Sequence, residues 1–286
     1  MPRDGQQSVV EAFLAAQAAL DAGDRDLSLQ RYREVAERWL SEPHSDDQGE
    51  RLAGIGAASM LGTLLFERGE PGEAERWWRQ AAEAGTGGEW PGIDLGPRGR
   101  APHADAASNL GDALGRRGEL DEALRWVREA ADYGHATAAT TLGAVLYEQG
   151  SFEEAARWWR QAAEQGSSLA LYNLGTLAKE RGDLRLAEGW FRRAAGAERL
   201  LESAELHAEV AANAASEVGA LLAQQGEVTE ARGWLVRAGE GGSEDANEAL
   251  AHLEAFERTR ERAETWLATS GRAASDDFLR RWRRER

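Results

Sequence analysis

The sequence predicts an all-α fold, a solenoid of stacked helix pairs, on three observations. First, the apolar 42% of the 286 residues is dominated by Ala and Leu. Few residues are β-branched and only six are Pro, a makeup that favours helix, where Ala and Leu lose least conformational freedom. Second, no run of alternating apolar residues marks a strand. Third, one pattern is written five times, beginning at Leu61, Leu110, Leu142, Leu174 and Val218. It has three fixed columns: Gly62, Gly111, Gly143, Gly175 and Gly219; then Gly69, Gly118, Gly150, Gly182 and Gly226; then Trp77, Trp126, Trp158, Trp190 and Trp234. Two copies share the heptapeptide WWRQAAE, at Trp77–Glu83 and Trp158–Glu164.

The first-column Gly residues are 49, 32, 32 and 44 apart, so the basic period is 32, with added residues between the first two and the last two copies. A 32-residue helix pair cannot bury its apolar face alone and must stack. In chain order, residues 1–45 form a degenerate N-terminal pair over Phe13–Trp39, carrying Gly23 and Trp39. Residues 46–242 hold the five repeats. In each, apolar residues at helical spacing (Leu142, Val145 and Leu146) build a first helix. The second-column Gly ends it as a left-handed cap, and an acidic stretch such as "ELDEA" or "SFEEA" opens the second helix, where negative charge suits the dipole. The first-column Gly lies inside a helix, at a cost of about 1 kcal/mol relative to Ala, so a close helix–helix approach is expected there. Gly and Pro density predicts a loop insertion at 86–106, while "ERLLESAELHAEV" predicts a helical insertion near 198–210. Residues 243–270 are helical without the signature and cap the array; 271–286 form a basic tail.

The Leu-Gly pair, the turn Gly and the small residue in the second helix (Ala74, Ala123, Ala155, Ala187, Ala231) resemble the tetratricopeptide repeat. The tails "WWRQAAEQG" and "WVREAADYG" are similar to Sel-one-like repeats, whereas the short turn between helices is of tetratricopeptide length. The resemblance implies a right-handed superhelix with first helices lining a concave groove and second helices outside. It also implies that Trp78 and Trp159 are buried between paired helices. Trp77 and Trp158 are expected to pack against the next repeat, both pairs largely buried and none in the groove.

Net charge is −16, which repels phosphate backbones; the exception is the end, "FLRRWRRER". There is no Cys, hence no disulfide or thiolate chemistry. The N-terminus has neither the basic start nor the unbroken apolar run of a signal peptide or membrane span, so a cytoplasmic protein without membrane contact is expected. The Arg, Ala and Gly bias suggests a bacterial source. His44, His103, His135, His207 and His252 have no metal-site spacing, and no phosphate-loop or nucleophile motif occurs. "GIGAAS" at Gly54–Ser59 lacks the third Gly and the strand of a dinucleotide fingerprint, and reads as helix packing. Glu153 and Glu154 recur at helix starts as dipole partners. The sequence therefore predicts no enzyme, no cofactor and no metal.

What the resemblance implies instead is a scaffold or adaptor holding a protein or peptide segment in the groove. The groove positions are Ser59, Thr63, Phe66, Asn109, Asp112, Thr140, Tyr147, Tyr172, Asn173, Thr176 and Lys179, a hydroxyl-rich lining with aromatic anchors. Asn109 and Asn173 match the Asn of carboxylate-gripping members, but Lys179 is the only lysine, which disfavours that mode. The alternative is a regulatory subunit of a nucleic-acid or nucleoprotein machine, docking through Arg280, Arg281, Trp282, Arg283 and Arg284 beside Phe278. The 86–106 loop, with Trp90, Ile93 and Leu95, is either an ornament or a partner-contacting flap.

Overall fold

The computed structural model describes residues 8–41, 47–85, 102–198 and 203–270. Among these there are thirteen helices and no strand: α1 (Val9–Asp21), α2 (Arg25–Ser41), α3 (Gln48–Glu67), α4 (Pro71–Gly85), α5 (Pro102–Arg116), α6 (Leu120–Asp132), α7 (Ala136–Glu148), α8 (Phe152–Glu164), α9 (Ser168–Glu180), α10 (Leu184–Ala195), α11 (Ala204–Gln225), α12 (Val228–Glu240) and α13 (Glu244–Ser270). No helix of the described residues is long and apolar enough to cross a membrane. The chain divides into two compact units, Met1–Ser167 and Ser168–Arg286. Each is a length of all-α solenoid: α1 to α8 pair into four successive hairpins, and α9 to α12 into two, with α13 packed on α12 and α11.

The predicted loop at 86–106 lies outside the described residues up to 101, and its last five residues are helical instead. Pro102 opens α5, where its missing N–H costs nothing because first-turn donors are unbonded anyway. The length added near 198–210 lies, from Ala204 on, in α11, a first helix of 22 residues capped by the Ser203 hydroxyl. Where several capping helices were expected, the C-terminal residues Glu244–Ser270 are one helix. The tail 271–286 is outside the described residues.

Every hairpin turns on a left-handed glycine. Gly69, Gly118, Gly150, Gly182 and Gly226 have φ between +78° and +88°, the region a side chain strains. The following N–H reaches back five residues, as from Ser151 to the Leu146 carbonyl at 2.8 Å, which satisfies a helix-end acceptor.

The first-column glycines are explained by the residue sixteen positions later. A Cβ on Gly62, Gly111, Gly143, Gly175 or Gly219 would lie 2.4 to 2.7 Å from the side chain of Trp78, Val127, Trp159, Phe191 or Leu235 respectively. Those side chains are at most 7% exposed, so the bare helix surface is the socket into which the second helix locks. The N-terminal hairpin uses the same register without the glycine. Nine residues after Gly23 stands Tyr32, fully buried, its hydroxyl donating to Gln17 Oε1 at 2.9 Å. Trp39, matched to the repeat by its distance from Gly23, packs elsewhere. It lies on Gly54, whose Cβ would meet its ring at 2.1 Å. The "GIGAAS" stretch is thus α3 interior packed on the first hairpin, Gly54 against Trp39 of α2 and Gly56 against Phe13 of α1.

The heptapeptide pairs divide rather than being buried together. Trp78 and Trp159 are 4% and 3% exposed, whereas Trp77 and Trp158 are only half-buried on the second helices. Three members of the invariant column, Trp77, Trp126 and Trp234, are tied to the preceding repeat through a carboxylate four residues earlier; in α10 that position is Leu186. Trp77 Nε1 donates to Glu73 at 3.5 Å, Trp126 to Glu122 at 3.3 Å, and Trp234 to Glu230 at 3.4 Å. The same three carboxylates accept Arg33 at 2.5 Å, Arg79 at 2.5 Å and Arg192 at 2.7 Å from the second helix before. Arg128–Glu154 at 3.7 Å adds a further rung. The guanidinium hydrogen bond is the main reason each of Glu73, Glu122 and Glu230 is held below the usual carboxylate range. An indole N–H fixes the carboxylate, and the carboxylate fixes the neighbour.

Candidate functional site

The first-helix positions expected to line a groove separate into packed and presented residues. Ser59 and Thr140 are each 5% exposed and belong to the packing layer. The Thr140 hydroxyl donates to the Ala136 carbonyl at 2.9 Å and lies 3.2 Å from Ser167 Oγ, while its carbonyl accepts Trp159 Nε1 at 3.1 Å. Three residues before the first-column Gly, the side chain in these two copies turns into the hairpin rather than outward.

In the first unit, α3 and α5 bring the other predicted residues together. Asn109 Nδ2 donates to Thr63 Oγ1 at 3.4 Å, bridging the two helices. One turn on, Phe66 is 40% exposed, its ring centre 5.6 Å from that of Trp78. Arg116 lies over Phe66, its Cζ 5.9 Å from the ring centre and its Nη2 3.9 Å from Asp112 Oδ2. This arginine was not among the residues the sequence singled out. It could have been found as the residue on the same helix face four after Asp112 and seven after Asn109. On α7, Tyr147 is half-buried, 5.3 Å from Phe152 and 5.7 Å from Trp159, so its ring is partly spent on the hairpin.

In the second unit, Tyr172 of α9 is half-buried on Phe191, ring centres 5.4 Å apart, and burial raises its phenol above the ordinary value, helped by Glu217. Thr176 donates to the Tyr172 carbonyl at 3.2 Å, and Asn173 is half-buried beside it. Lys179 is held at 2.6 Å by Glu217 of α11, so the sole lysine serves the contact between first helices. Arg280, Arg281, Trp282, Arg283 and Arg284 lie outside the described residues, as do Trp90, Ile93 and Leu95. Among the described residues no group of three or more His, Asp or Glu side chains is arranged to hold a metal ion.

Comparison with known proteins identifies this architecture. One tetratricopeptide repeat model matches residues 55–80, 104–129 and 168–193, and a second matches 135–164, so each match falls on one hairpin, from α3/α4 to α9/α10. Both models are of the tetratricopeptide type; the Sel-one-like tails do not alter the assignment. No curated protein matches the chain. Among solved structures, PilF of Pseudomonas aeruginosa aligns over 81% of this chain and 99% of its own, at 21% identity and TM-score 0.52. PilW, a widely conserved type IV pilus biogenesis factor, aligns over 86% of this chain and 100% of its own, at 15% identity and TM-score 0.51. At these identities the likeness is one of fold. With four matched hairpins, a left-handed turn glycine in each and an aromatic or aliphatic knob set on a helical glycine, the chain is a tetratricopeptide repeat protein.

Proposed function

We propose that this protein is a non-catalytic scaffold that holds a segment of another protein against the first helices of its N-terminal unit. The observation that carries the reading is the α3–α5 face: an exposed phenylalanine under a guanidinium, continued by a Thr–Asn bridge and the exposed Asp112. An apolar anchor flanked by paired donors and acceptors suits an extended or helical peptide bearing one apolar side chain next to an acceptor for Arg116. Arg116 and Asp112 are both 71% exposed by their side chains, so their contact leaves both open to a ligand. Tyr147 of α7 adds a half-buried ring in the same unit, and Tyr172, Asn173, Thr176 and Lys179 offer a second presenting surface on the other unit. Selection of peptides from a display library against the whole chain tests the reading. Binding is expected to fall at least tenfold on Phe66→Ala with Arg116→Ala. Selected peptides that ignore both changes but lose binding on deletion of Phe278–Arg286 would instead assign recognition to the tail, the regulatory-subunit alternative.

A further inference from the structure

Where α4 ends and α5 begins, four elements of the first unit close around one imidazole. His103, in the first turn of α5, is fully buried. Its ring stands edge-on to Tyr133 at 4.3 Å and 80°. Gly85, the last residue of α4, leaves room for it: a Cβ there would lie 2.0 Å from His103 Cγ. Arg51 of α3 donates to the Ala84 carbonyl at 2.8 Å, tying α3 to the same end of α4. Asp105, one turn into α5, lies 3.4 Å from Nε2 of His135, whose Nδ1 accepts the Ala138 N–H and caps α7. With Nδ1 accepting, the His135 hydrogen sits on Nε2, toward Asp105.

The charged groups bearing on His103 are therefore Arg51 from α3 and Asp105 from α5, with the phenol of Tyr133 against its ring and His135 behind Asp105. Burial and then Arg51 oppose a charged imidazole, and Asp105 offsets them only in part, so the ring is pushed down to about 4. The tie is made of helix ends, whose hydrogen bonds open more readily than those of helix middles. In the neighbouring rung the hydrogen bond from Arg79 holds the Glu122 carboxyl below the usual carboxylate range.

We propose that this cluster is an acid-sensitive latch: proton uptake by His103 opens the α4–α5 junction while the second unit stays folded. The open form, with an ordinary imidazole, binds the proton more tightly than the closed one. The latch is thus fully closed above pH about 6.5 and loosens as pH falls from there toward 4. Between pH about 7.5 and about 5.5 the opening equilibrium shifts about tenfold toward the open form.

Hydrogen exchange on the full chain at those two pH values, corrected for the intrinsic rate, tests this. Peptides covering Trp78–Gly85 and His103–Leu110 are expected to lose about tenfold in protection relative to α10. A constant ratio, or an equal loss in α10, overturns the proposal. His103→Asn is expected to abolish the pH dependence of the ratio, and a dependence that survives in it also overturns the latch. Should that variant not fold, the wild-type imidazole resonances decide. One of the five histidines is expected to stay neutral in the native state at pH about 5; five histidines all titrating near 6.5 overturn the latch.

Discussion

The outer row of the second helices and the exposed row of the first helices come from the same repeat, yet they vary in opposite ways. On the second helices the knob and the invariant tryptophan recur in every copy, and Arg–Glu rungs recur at Arg33–Glu73, Arg79–Glu122, Arg128–Glu154 and Arg192–Glu230, with Leu186 in place of the glutamate in α10. Four residues after the first-column glycine, the first helices carry in turn Phe66, Gly115, Tyr147, Lys179 and Ala223. Positions that every hairpin needs in order to pack are repeated; positions that present a surface are free to differ. Repetition within one chain therefore marks architecture, and its breakdown marks where recognition can be written.

Four changes probe that division, from the largest effect down. Trp159→Ala empties the socket over Gly143 and is expected to cost about 3–5 kcal/mol in urea unfolding of the first unit. A loss under about 1 kcal/mol would mean the knob is replaceable and the comparison misdrawn. Gly62→Ala drives a methyl into the Trp78 ring and is expected to cost about 1–3 kcal/mol net, although Ala is otherwise the better helix former; a stabilised protein would refute the socket. Arg79→Ala removes one rung and is expected to move the unfolding midpoint only slightly, the difference vanishing at about 1 M salt, where screening reaches about 3 Å. A salt-independent loss would make the rung a packing contact. Phe66→Ala is expected to change stability by about 0.5 kcal/mol or less while lowering peptide affinity, the reverse of Trp159→Ala; a large stability loss would move Phe66 into the core.

The helix hairpins and their turns were legible in the sequence because each depends on local chemistry. A left-handed turn admits glycine almost alone, and a helical glycine signals contact. The close approach expected at the first-column glycines is present at all five. Less legible were features requiring register between hairpins. Trp77 reads as packing against the following repeat because its partner, Glu73 one turn earlier, gains its meaning only when Arg33 of the preceding repeat arrives. Thr140 and Ser59 read as groove residues because side-chain direction at the third position before the glycine depends on how the helices are rotated. Arg116 was overlooked because no repeat shares it. His103 read as a scattered histidine, since its enclosure is made by Gly85, Arg51 and Tyr133 from three other elements.

The socket also says where this chain can grow. Sixteen residues separate glycine and knob in every copy, whereas the interval from one copy to the next runs from 32 to 49. One residue added inside the sixteen would swing the knob about 100° round its helix, off the bare surface made for it. Residues added between copies leave every knob seated. The hairpin thus behaves as an indivisible word, and novelty enters this chain as spacing between words.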